Sequence, residues 1–473
     1  MELEEPSLAD RLTVEGQEGA EFDRIPSLDG EVEGAEPARR VPDGLGTAHR
    51  DLAARGPNDH LGPHAPGDRA QDRAVELDPS YSWAWNEHGI VLEALGRHEE
   101  ALESYQLAAV IEPDNPLYWY NLGDTLVLLK RHQEALEVLQ RALEADPRYA
   151  RAWAKQGQAL RRMGRLEEAL ASYSRAVELA PDYAWAWNGR GLTLSALDRH
   201  EEALQCFRQA AAIQPDDVWF WYNQADELVT LQRFEDALGP LERALRLNRN
   251  HAESWAKRGQ VLRRMGRYKD AVAAYDRALK VEPGYAWAWN GRGLALEAMG
   301  RREEALISYE RAAEYDPNSA WYWINQVEPL LALGRAEDAL DAVEQALKVG
   351  PESDTAWARK GQVLRRLERH EEALAAYDRA LRLAPDYAWA WNGKGLACAA
   401  LGRWEEAGIC FARAVELMPD DVWFWHNLGD ALLQLARWEE AVSAFNRALQ
   451  LDPTHQPSRE KRTEARRHLD REE

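Results

Sequence analysis

The sequence predicts an all-α protein, an α-solenoid of stacked helix–turn–helix repeats. Tryptophan recurs every 34 residues from Trp85 to Trp425, eleven times in all. Alanine recurs with the same period in two further series, Ala101 to Ala441 and Ala108 to Ala448. Each period also contains two stretches with apolar residues at helical spacing. Repeats this short bury their apolar faces only against neighbouring repeats, so the period indicates a stacked array.

The repeat that begins at residue 184 shows why each unit is expected to form two helices. Residues 184–197 and 200–212 both place apolar residues three and four positions apart. The second stretch opens with Glu201 and Glu202, where the helix dipole favours acidic side chains, and it ends before Pro215. A short turn between the two stretches would therefore make a helical hairpin.

Composition and charge limit the classes of function. The chain has 473 residues, of which 29% are charged, and a net charge of −23. This acidity makes a nucleic-acid partner unlikely, because binding to phosphates requires clustered Lys and Arg. No apolar run is long enough to span a membrane, and residues 1–16 lack the pattern of a secretory signal. We therefore expect a cytoplasmic protein.

The first part of the chain differs from the rest. Residues 1–70 contain no Trp or Tyr and carry 16 acidic against 7 basic residues. Such a segment buries too little apolar surface to offset the entropy of ordering, so we expect a disordered acidic N-terminal segment.

The order of residues within one repeat resembles the tetratricopeptide repeat. The residues that carry the resemblance are Trp187, Gly191, Ala203, Phe207, Ala210 and Pro215. It extends over residues 82–455 as eleven units, after a remnant closing helix of a truncated repeat at 71–81 and before a polar capping helix at 456–473. The resemblance implies a right-handed superhelix whose first helices line a concave groove, where a protein or peptide partner binds.

The repeats are of three kinds that alternate, so the full period is 102 residues. First-kind repeats begin like AWAWNGRG (184–191), second-kind repeats like VWFWYNQAD (218–226) and third-kind repeats like SWAKRGQVLRRMGR (254–267). The tryptophan found in every repeat, here called the repeat tryptophan, is predicted to lie in the core. A second tryptophan two positions earlier occurs only in the first two kinds and points about 200° away on a helix. We predict that this second tryptophan faces the groove.

The predicted groove combines aromatic, amide and charged side chains from all three kinds of repeat. Its candidate residues are Trp185, Asn188, Trp219, Tyr222, Asn223, Asp226, Lys257, Gln260, Arg263, Arg264, Trp287, Asn290, Trp321, Asn325, Arg359, Gln362, Arg365, Arg366, Trp389, Asn392, Trp423 and Asn427. The alternative is structural: the second tryptophan packs against a neighbouring first helix and stiffens the stack.

A partial similarity exists to the two-carboxylate clamp with which some tetratricopeptide proteins hold acidic chaperone tails. Asn223, followed one repeat later by Lys257, matches an Asn and a basic residue of that clamp. Asn188 stands where the clamp has its leading Lys, and the carboxylates of Asp226 and Glu328 would oppose an acidic ligand. We therefore expect no chaperone-tail binding, but amides that bond a ligand backbone beside cations that meet carboxylates.

The sequence contains no phosphate-binding loop, nucleophile elbow or zinc-ligand spacing, so we expect neither catalysis nor a cofactor or metal. The leading interpretation is a non-catalytic scaffold that binds an extended peptide or protein segment in the groove. Two alternatives stay open: recognition of a glycan or single-stranded RNA by Trp and Arg side chains, and a regulatory arm for an enzyme on another chain.

Two prolines fall inside predicted helices. Pro329 lies in a first helix and Pro240 in a second helix. Because an internal proline removes a backbone hydrogen bond, we expect a kink at each position.

Overall fold

A computed structural model describes residues 77–472 of the chain. The predictions for residues 1–70, and for most of the remnant helix at 71–81, lie outside the described residues. By their contacts, the described residues fall into two compact units that divide between Arg249 and Asn250. Both units are all-α solenoids made of helical hairpins, as the sequence predicts.

The N-terminal unit consists of five hairpins, each with a first and a second helix. Its helices are α1 (Ser82–Ala94), α2 (His98–Ile111), α3 (Pro116–Leu128), α4 (His132–Ala145), α5 (Ala150–Arg162), α6 (Leu166–Leu179), α7 (Ala184–Ala196), α8 (His200–Ile213), α9 (Val218–Thr230) and α10 (Phe234–Leu247). The bounds of α7 and α8 agree with the predicted stretches to within one residue.

The C-terminal unit consists of six hairpins and a final helix. Its helices are α11 (Ala252–Arg264), α12 (Tyr268–Val281), α13 (Ala286–Ala298), α14 (Arg302–Tyr315), α15 (Ala320–Ile324), α16 (Val327–Ala332), α17 (Ala336–Val349), α18 (Asp354–Arg366), α19 (His370–Leu383), α20 (Ala388–Ala400), α21 (Trp404–Leu417), α22 (Val422–Gln434), α23 (Trp438–Leu451) and α24 (Gln456–Glu472). Helices α15 and α16 together form one first helix.

A residue in the left-handed conformation follows every first helix, from Gly96 to Ala436. At the end of α13, Gly300 has a φ of +73°, a conformation that glycine adopts without steric cost. This turn lets the amide of Arg301 donate to the carbonyl of Leu296 at 3.0 Å, which closes the helix C-terminus. The chain then reverses into α14.

The deep core is made by alanines and by one aromatic or aliphatic residue per repeat. Every residue of the two alanine series is fully buried. The larger residue lies on the second helix, for example Tyr105, Phe207 and Phe445, each at most 1% exposed. Small residues on facing helices allow close approach, and the rings fill the remaining space.

The repeat tryptophan is not part of this deep core, so that prediction is wrong in detail. It is half-buried in every repeat except at Trp119, because it lies where the loop meets the first helix. In every repeat but that of Trp255, its indole N–H donates to the proline carbonyl six residues earlier, for instance Trp187 to Pro181 at 2.9 Å. The ring therefore covers the edge of the core and fastens the loop to the helix.

Glycine on the first helix makes room for the core ring of the same repeat. A Cβ atom added at Gly293 would lie 2.4 Å from Cε1 of Tyr309, and one at Gly191 would lie 2.7 Å from Cε1 of Phe207. The later first-kind repeats carry an additional glycine, Gly189, Gly291 or Gly393, that meets the preceding repeat: a Cβ at Gly291 would lie 2.5 Å from Cζ of Tyr275. The glycines thus fix the spacing both within and between hairpins.

The two internal prolines have different effects. Pro329 would be the tenth residue of a continuous first helix, and there the helix is interrupted between α15 and α16. Before the break the amide of Gln326 donates to the carbonyl of Trp323, a tighter turn than in an α-helix. Pro240 lies in α10, which continues without interruption. As the seventh of fourteen residues it removes the one backbone bond to the carbonyl of Asp236, and the helix continues around it without the interruption seen at Pro329.

Candidate functional site

The candidate residues lie on first helices. In each unit we call the surface formed by consecutive first helices the first-helix wall: α1, α3, α5, α7 and α9 in the N-terminal unit, and α11, α13, α15, α16, α18, α20 and α22 in the C-terminal unit, where α24 follows them. Side chains of consecutive first helices bond directly along each wall.

The second tryptophans of first-kind repeats are half-buried on the wall. Two of them meet the next repeat edge-on, whereas Trp287 lies 6.3 Å from the ring of Tyr275 in the preceding repeat. The ring of Trp185 packs against Phe220 with centroids 5.3 Å apart, and Trp389 packs in the same way against Phe424 at 4.9 Å. T-shaped pairs of this kind hold each ring in one orientation. These tryptophans therefore combine a packing contact with a partly accessible surface.

The second tryptophans of second-kind repeats are also half-buried, and two of them meet a ring one turn further along their own helix edge-on. Trp219 meets Tyr222 of its own helix at a centroid distance of 5.6 Å, and Trp423 meets His426 at 5.7 Å. Trp423 also contacts His455, at 4.6 Å, in the turn before α24. Like the first-kind rings, they are neither fully enclosed nor turned away from the wall.

The candidate asparagines form pairs between first-kind and second-kind repeats. In the N-terminal unit, Nδ2 of Asn121 donates to Oδ1 of Asn86 at 2.7 Å, and Asn223 donates to Asn188 at 2.9 Å. The C-terminal unit repeats the arrangement. Asn325 donates to Asn290 at 2.7 Å, and Asn427 donates to Asn392 at 2.9 Å.

This pairing gives the amides a structural task that the sequence-based interpretation did not foresee. Asn188, Asn392 and Asn427 are buried, and a buried amide needs a partner. The neighbouring amide supplies it, so each pair fixes the register of two consecutive first helices. Contact between these amides and a ligand stays a prediction.

Charged residues form a second set of bridges, from second-kind to third-kind repeats. In the N-terminal unit, Nζ of Lys155 lies 2.7 Å from Oδ1 of Asp124. In the C-terminal unit, Arg359 Nη1 lies 2.5 Å from Oε1 of Glu328, and Gln362 donates to the same oxygen at 3.0 Å. Of the two carboxylates expected to oppose an acidic ligand, Glu328 is thus paired with the cation beside it.

Third-kind repeats also contact the following first-kind repeat. Nζ of Lys257, which is 1% exposed, lies 5.4 Å from the ring centroid of Trp287, a cation–π contact. Gln260 is buried one turn further along α11. The wall is therefore a continuous sequence of amide pairs, ion pairs and cation–π contacts rather than a row of independent side chains.

The arginine pairs lie in the last turn of the third-kind first helices, Arg263 and Arg264 in α11 and Arg365 and Arg366 in α18. Arg366 is exposed, and the other three are half-buried. Cations at a helix C-terminus interact favourably with the helix dipole. These side chains form the basic positions of the wall in the C-terminal unit.

The final helix, α24, imitates a third-kind first helix with polar residues. Arg459 occupies the position of the repeat tryptophan, and its Nη2 donates to the carbonyl of Pro453 at 2.6 Å. Nζ of Lys461 lies 2.9 Å from Oδ1 of Asp430, as Lys155 does from Asp124. Burial lowers the pKa of Lys461, but the hydrogen bond to Asp430 and the charges of Asp430 and Glu464 together outweigh burial and raise it. The helix thus covers the last hairpin.

Histidines at the start of second helices are half-buried rather than fully solvated. His200 contacts Glu227, its Nδ1 lying 2.7 Å from Oε1 of that buried carboxylate. Burial raises the pKa of Glu227. No group of three or more metal-ligating side chains occurs between residues 77 and 472. Over the same residues, no helix combines the length and apolar character needed to cross a bilayer.

Sequence reasoning missed a further series on the edge of the hairpins. Arginine precedes every second helix, from Arg97 to Arg437. Its guanidinium commonly bonds the acid three residues later; Arg301, for instance, donates to both carboxylate oxygens of Glu304 at 2.6 and 2.5 Å. The sequence contains a signal for this series, because an Arg lies three positions before an acidic residue in every repeat. Each of these exposed ion pairs contributes little to the stability of the protein. We therefore interpret the series as part of the structure of the hairpin.

The geometry defines a class of protein, a solenoid of stacked helical hairpins with a bonded first-helix wall. Profiles of the tetratricopeptide repeat match residues 80–148, 148–216 and 386–454, residues 222–264 and 326–388, and residues 286–319. A profile described as TPR repeat matches residues 259–300. The chain belongs to the tetratricopeptide repeat family, and it is a protein-interaction scaffold in that general sense.

Solved structures give weaker similarities. The chain is similar to Cut9 with Hcn1, a hetero-tetramer of the APC/C (13% identity, 84% of this chain and 92% of that one, TM-score 0.46). It is also similar to yeast Tom70 (16%, 83% and 96%, TM-score 0.41). A third match is YrrB, described as a TPR protein with an unusual peptide-binding site (27%, 38% and 94%, TM-score 0.34). These scores are below 0.5, so no ligand is transferred from them. No curated protein matches the chain.

Proposed function

We propose that the chain is a non-catalytic scaffold whose first-helix wall forms a groove that binds an extended peptide or protein segment. The observation that carries this proposal is the half-buried state of the second tryptophans. Several of these rings are held by an edge-on aromatic neighbour, as Trp185 is by Phe220. A rigid aromatic ring that keeps part of its surface accessible gives contact area at little entropic cost.

The paired polar groups support the proposal by making the wall rigid before a ligand arrives. The bond from Asn325 to Asn290 and the ion pair of Arg359 with Glu328 each join two repeats. A surface whose side chains are already ordered loses less entropy on binding. In the proposed groove the tryptophans contribute most of the affinity, and the bonded pairs keep them at fixed separations.

The arginine pairs give the groove a preference among peptides. Arg263 with Arg264 and Arg365 with Arg366 recur 102 residues apart in the C-terminal unit. An acidic side chain of the bound segment would meet them, because guanidinium groups bind carboxylates with good geometry. We therefore propose a ligand with apolar or aromatic residues at the tryptophans and acidic residues at the arginine pairs.

Selection and mutation test this proposal together. The full chain is used to select binders from a phage-displayed library of unstructured peptides, and the affinity of a selected peptide is measured by calorimetry. The double variant Trp321→Ala with Trp389→Ala, both within the C-terminal unit, should weaken binding by at least about 2 kcal/mol per ring, with helicity retained. The control Ile307→Ala removes an exposed side chain on second helix α14 and should bind like wild type. Failure to select any peptide, or equal binding by both variants, contradicts the proposal.

Single-stranded RNA is tested on the same protein. A groove that binds the phosphate backbone of RNA would show an affinity for RNA that falls steeply as the salt concentration rises. At a net charge of −23 we expect no RNA shift at physiological salt. A salt-dependent complex lost in the double variant would favour RNA over peptide.

A further inference from the structure

One repeat interrupts a series that is otherwise invariant. In each repeat, the first-helix glycine position that faces the core ring is followed three residues later by a core position. This position is leucine in ten repeats, from Leu92 to Leu432, and cysteine only at Cys398. The same hairpin carries Cys410 on its second helix. Both cysteines are buried, Cys398 completely and Cys410 to within 4% exposure. The α20–α21 hairpin therefore holds two thiols inside the protein.

Other hairpins show that these two positions face each other. In the α7–α8 hairpin the equivalent residues, Leu194 and Cys206, belong to one packed cluster. In the α22–α23 hairpin, Leu432 and Ala444 do so as well. In α20–α21 both positions are cysteine, and both side chains are buried as free thiols. The repeat thus places these two positions together in the interior of the hairpin.

We propose that Cys398 and Cys410 form a dithiol site that hydrogen peroxide or a similarly small peroxide oxidises to a disulfide across the α20–α21 hairpin. Nothing in this proposal depends on the ligand groove. The disulfide would tie the helix that carries Trp389 and Asn392 covalently to its second helix.

The surroundings favour Cys398 as the attacking sulfur. The interaction with the Cys410 thiol lowers the pKa of Cys398 against burial and the charge of Glu406, and the charges of Lys394 and Arg403 also lower it. The same interaction, together with burial, raises the pKa of Cys410, so this thiol keeps its proton. Cys206, which has Leu194 instead of a second thiol, has its pKa raised to about 11 by burial. It serves as an internal control.

The reaction proceeds in two balanced steps. The Cys398 sulfur attacks one peroxide oxygen; an S–O bond forms, the O–O bond breaks, and the second oxygen leaves as water after taking a proton. The Cys410 sulfur then attacks the sulfur of the resulting sulfenic acid. The S–S bond forms, the S–O bond breaks, and the Cys410 proton leaves with the hydroxyl as a second water. Two thiols are oxidised and one peroxide is reduced.

The test uses the folded full-length chain. The protein is treated with hydrogen peroxide, free thiols are alkylated after unfolding, and tryptic peptides are weighed. Cleavage after Lys394, Arg403 and Arg413 separates the two cysteines, so a disulfide appears as linked peptides 395–403 and 404–413. We expect this linked pair to appear after oxidation and vanish after reduction, with Cys206 alkylated.

The repeats themselves provide control variants that should fold. Cys398→Leu restores the leucine of the other ten repeats, and Cys410→Ala copies Ala342 and Ala376. Each should abolish the linked pair, while Cys206→Ala should leave it unchanged. The proposal is overturned if wild type keeps both thiols alkylatable after oxidation, if Cys398 or Cys410 is only overoxidised without linkage, or if Cys206 forms the linkage instead.

Discussion

At the scale of single residues, the first-helix wall depends on polar side chains that bond to each other. Asn86 and Asn121 are each 1% exposed, and their bond crosses from one repeat to the next. Burial of an amide without a partner is costly, whereas burial of a bonded pair is not. The pairs therefore favour one alignment of consecutive first helices over others.

Removal of one asparagine of such a pair should lower the free energy of unfolding by more than half of the loss caused by removal of both. Asn121→Ala leaves the Asn86 carbonyl oxygen buried without its donor, with an expected loss of about 1–3 kcal/mol. The double variant Asn86→Ala with Asn121→Ala should lose clearly less than the sum of the single losses. Guanidinium denaturation followed by circular dichroism measures all three. Additive losses would mean that the two amides do not interact.

A second residue-scale prediction concerns pH. His426 is buried between Trp423 and His455, and its Nδ1 lies 3.0 Å from Oγ of Ser458. Burial and then the charge of His455 lower its pKa to about 4, although Asp430 acts in the opposite direction and Lys461 adds to the lowering. The unfolded chain thus binds this proton first, at an ordinary pKa near 6.5.

Stability should therefore fall as pH decreases from about 6.5 towards 4, and the loss contributed by this group should reach about 1–3 kcal/mol. Repeats two and three supply a matched variant, because Tyr120 and Tyr149 occupy the equivalent places 5.4 Å apart. His426→Tyr with His455→Tyr should flatten the pH dependence of the denaturation midpoint of α22–α24. An unchanged pH profile in this double variant would assign the effect to other groups.

At the scale of the helical hairpin, spacing is set by glycine against a ring. The Cβ of an alanine at Gly293 would lie 2.4 Å from a Tyr309 carbon, so the ring or the helix must move. Gly408 in α21 is the contrasting case, since an added Cβ there would have only Leu435 nearby, at 3.8 Å. The same substitution should therefore have opposite effects at the two sites.

Gly293→Ala should destabilise the C-terminal unit by about 1–3 kcal/mol through overpacking. Gly408→Ala should stabilise it by about 0.5–1 kcal/mol, because alanine loses less backbone entropy in a helix. Denaturation midpoints of the two variants, measured beside wild type, give the comparison. Equal shifts in the same direction would show that contact with Tyr309 does not decide the spacing.

The sequence predicted elements better than contacts between elements. The period, the helix bounds of α7 and α8 and the interruption at Pro329 all followed from local patterns. The asparagine pairs did not, because Asn188 and Asn223 are 35 residues apart and meet only when the stacking register is known. The repeat tryptophan was placed in the core because apolarity alone does not show that its N–H would fasten a loop carbonyl.

One signal for the bridges was nevertheless present in the sequence. An acid in each second-kind repeat precedes a basic residue of the next repeat by 31 positions, as Asp124 precedes Lys155 and Asp430 precedes Lys461. The persistence of this spacing into α24, where the rest of the pattern is lost, favours a structural pair. We had interpreted these groups mainly as ligand contacts.

At the scale of the whole molecule, the natural unit of construction is three repeats rather than one. First-kind repeats meet second-kind repeats through Asn–Asn bonds, and second-kind meet third-kind through ion pairs. Third-kind repeats meet first-kind through a glycine against a tyrosine, such as Gly291 against Tyr275. Each junction is specific to its two kinds, so the order of kinds matters as well as their number.

Deletion of one cycle should therefore be tolerated better than deletion of one repeat. Removal of residues 286–387 places Gly393 against Tyr275 and preserves every type of junction. Removal of residues 286–319 places Asn325 where Gly291 stood, against the ring of Tyr275, and takes away Asn290. We expect cooperative unfolding with little loss for the first deletion, and a loss of several kcal/mol, about 3 or more, for the second.

The two deletions also distinguish the effect of junction type on stability from the effect of the number of repeats. If the number of repeats determined stability, the longer protein that lacks only residues 286–319 would be the more stable one. Thermal denaturation of both proteins decides the matter, since the two explanations predict opposite orders of stability.

The most direct test of the central claim compares the two tryptophans of one first helix. Trp221 fastens the loop through its bond to Pro215 at 3.0 Å, whereas Trp219 is assigned to the ligand. With a peptide selected against wild type, Trp219→Ala should lose at least about 2 kcal/mol of binding free energy and keep a near-normal denaturation midpoint. Trp221→Ala should lower the midpoint by a comparable free energy while the folded protein still binds. Equal stability losses in both variants, with equal peptide affinity, would contradict the division of roles.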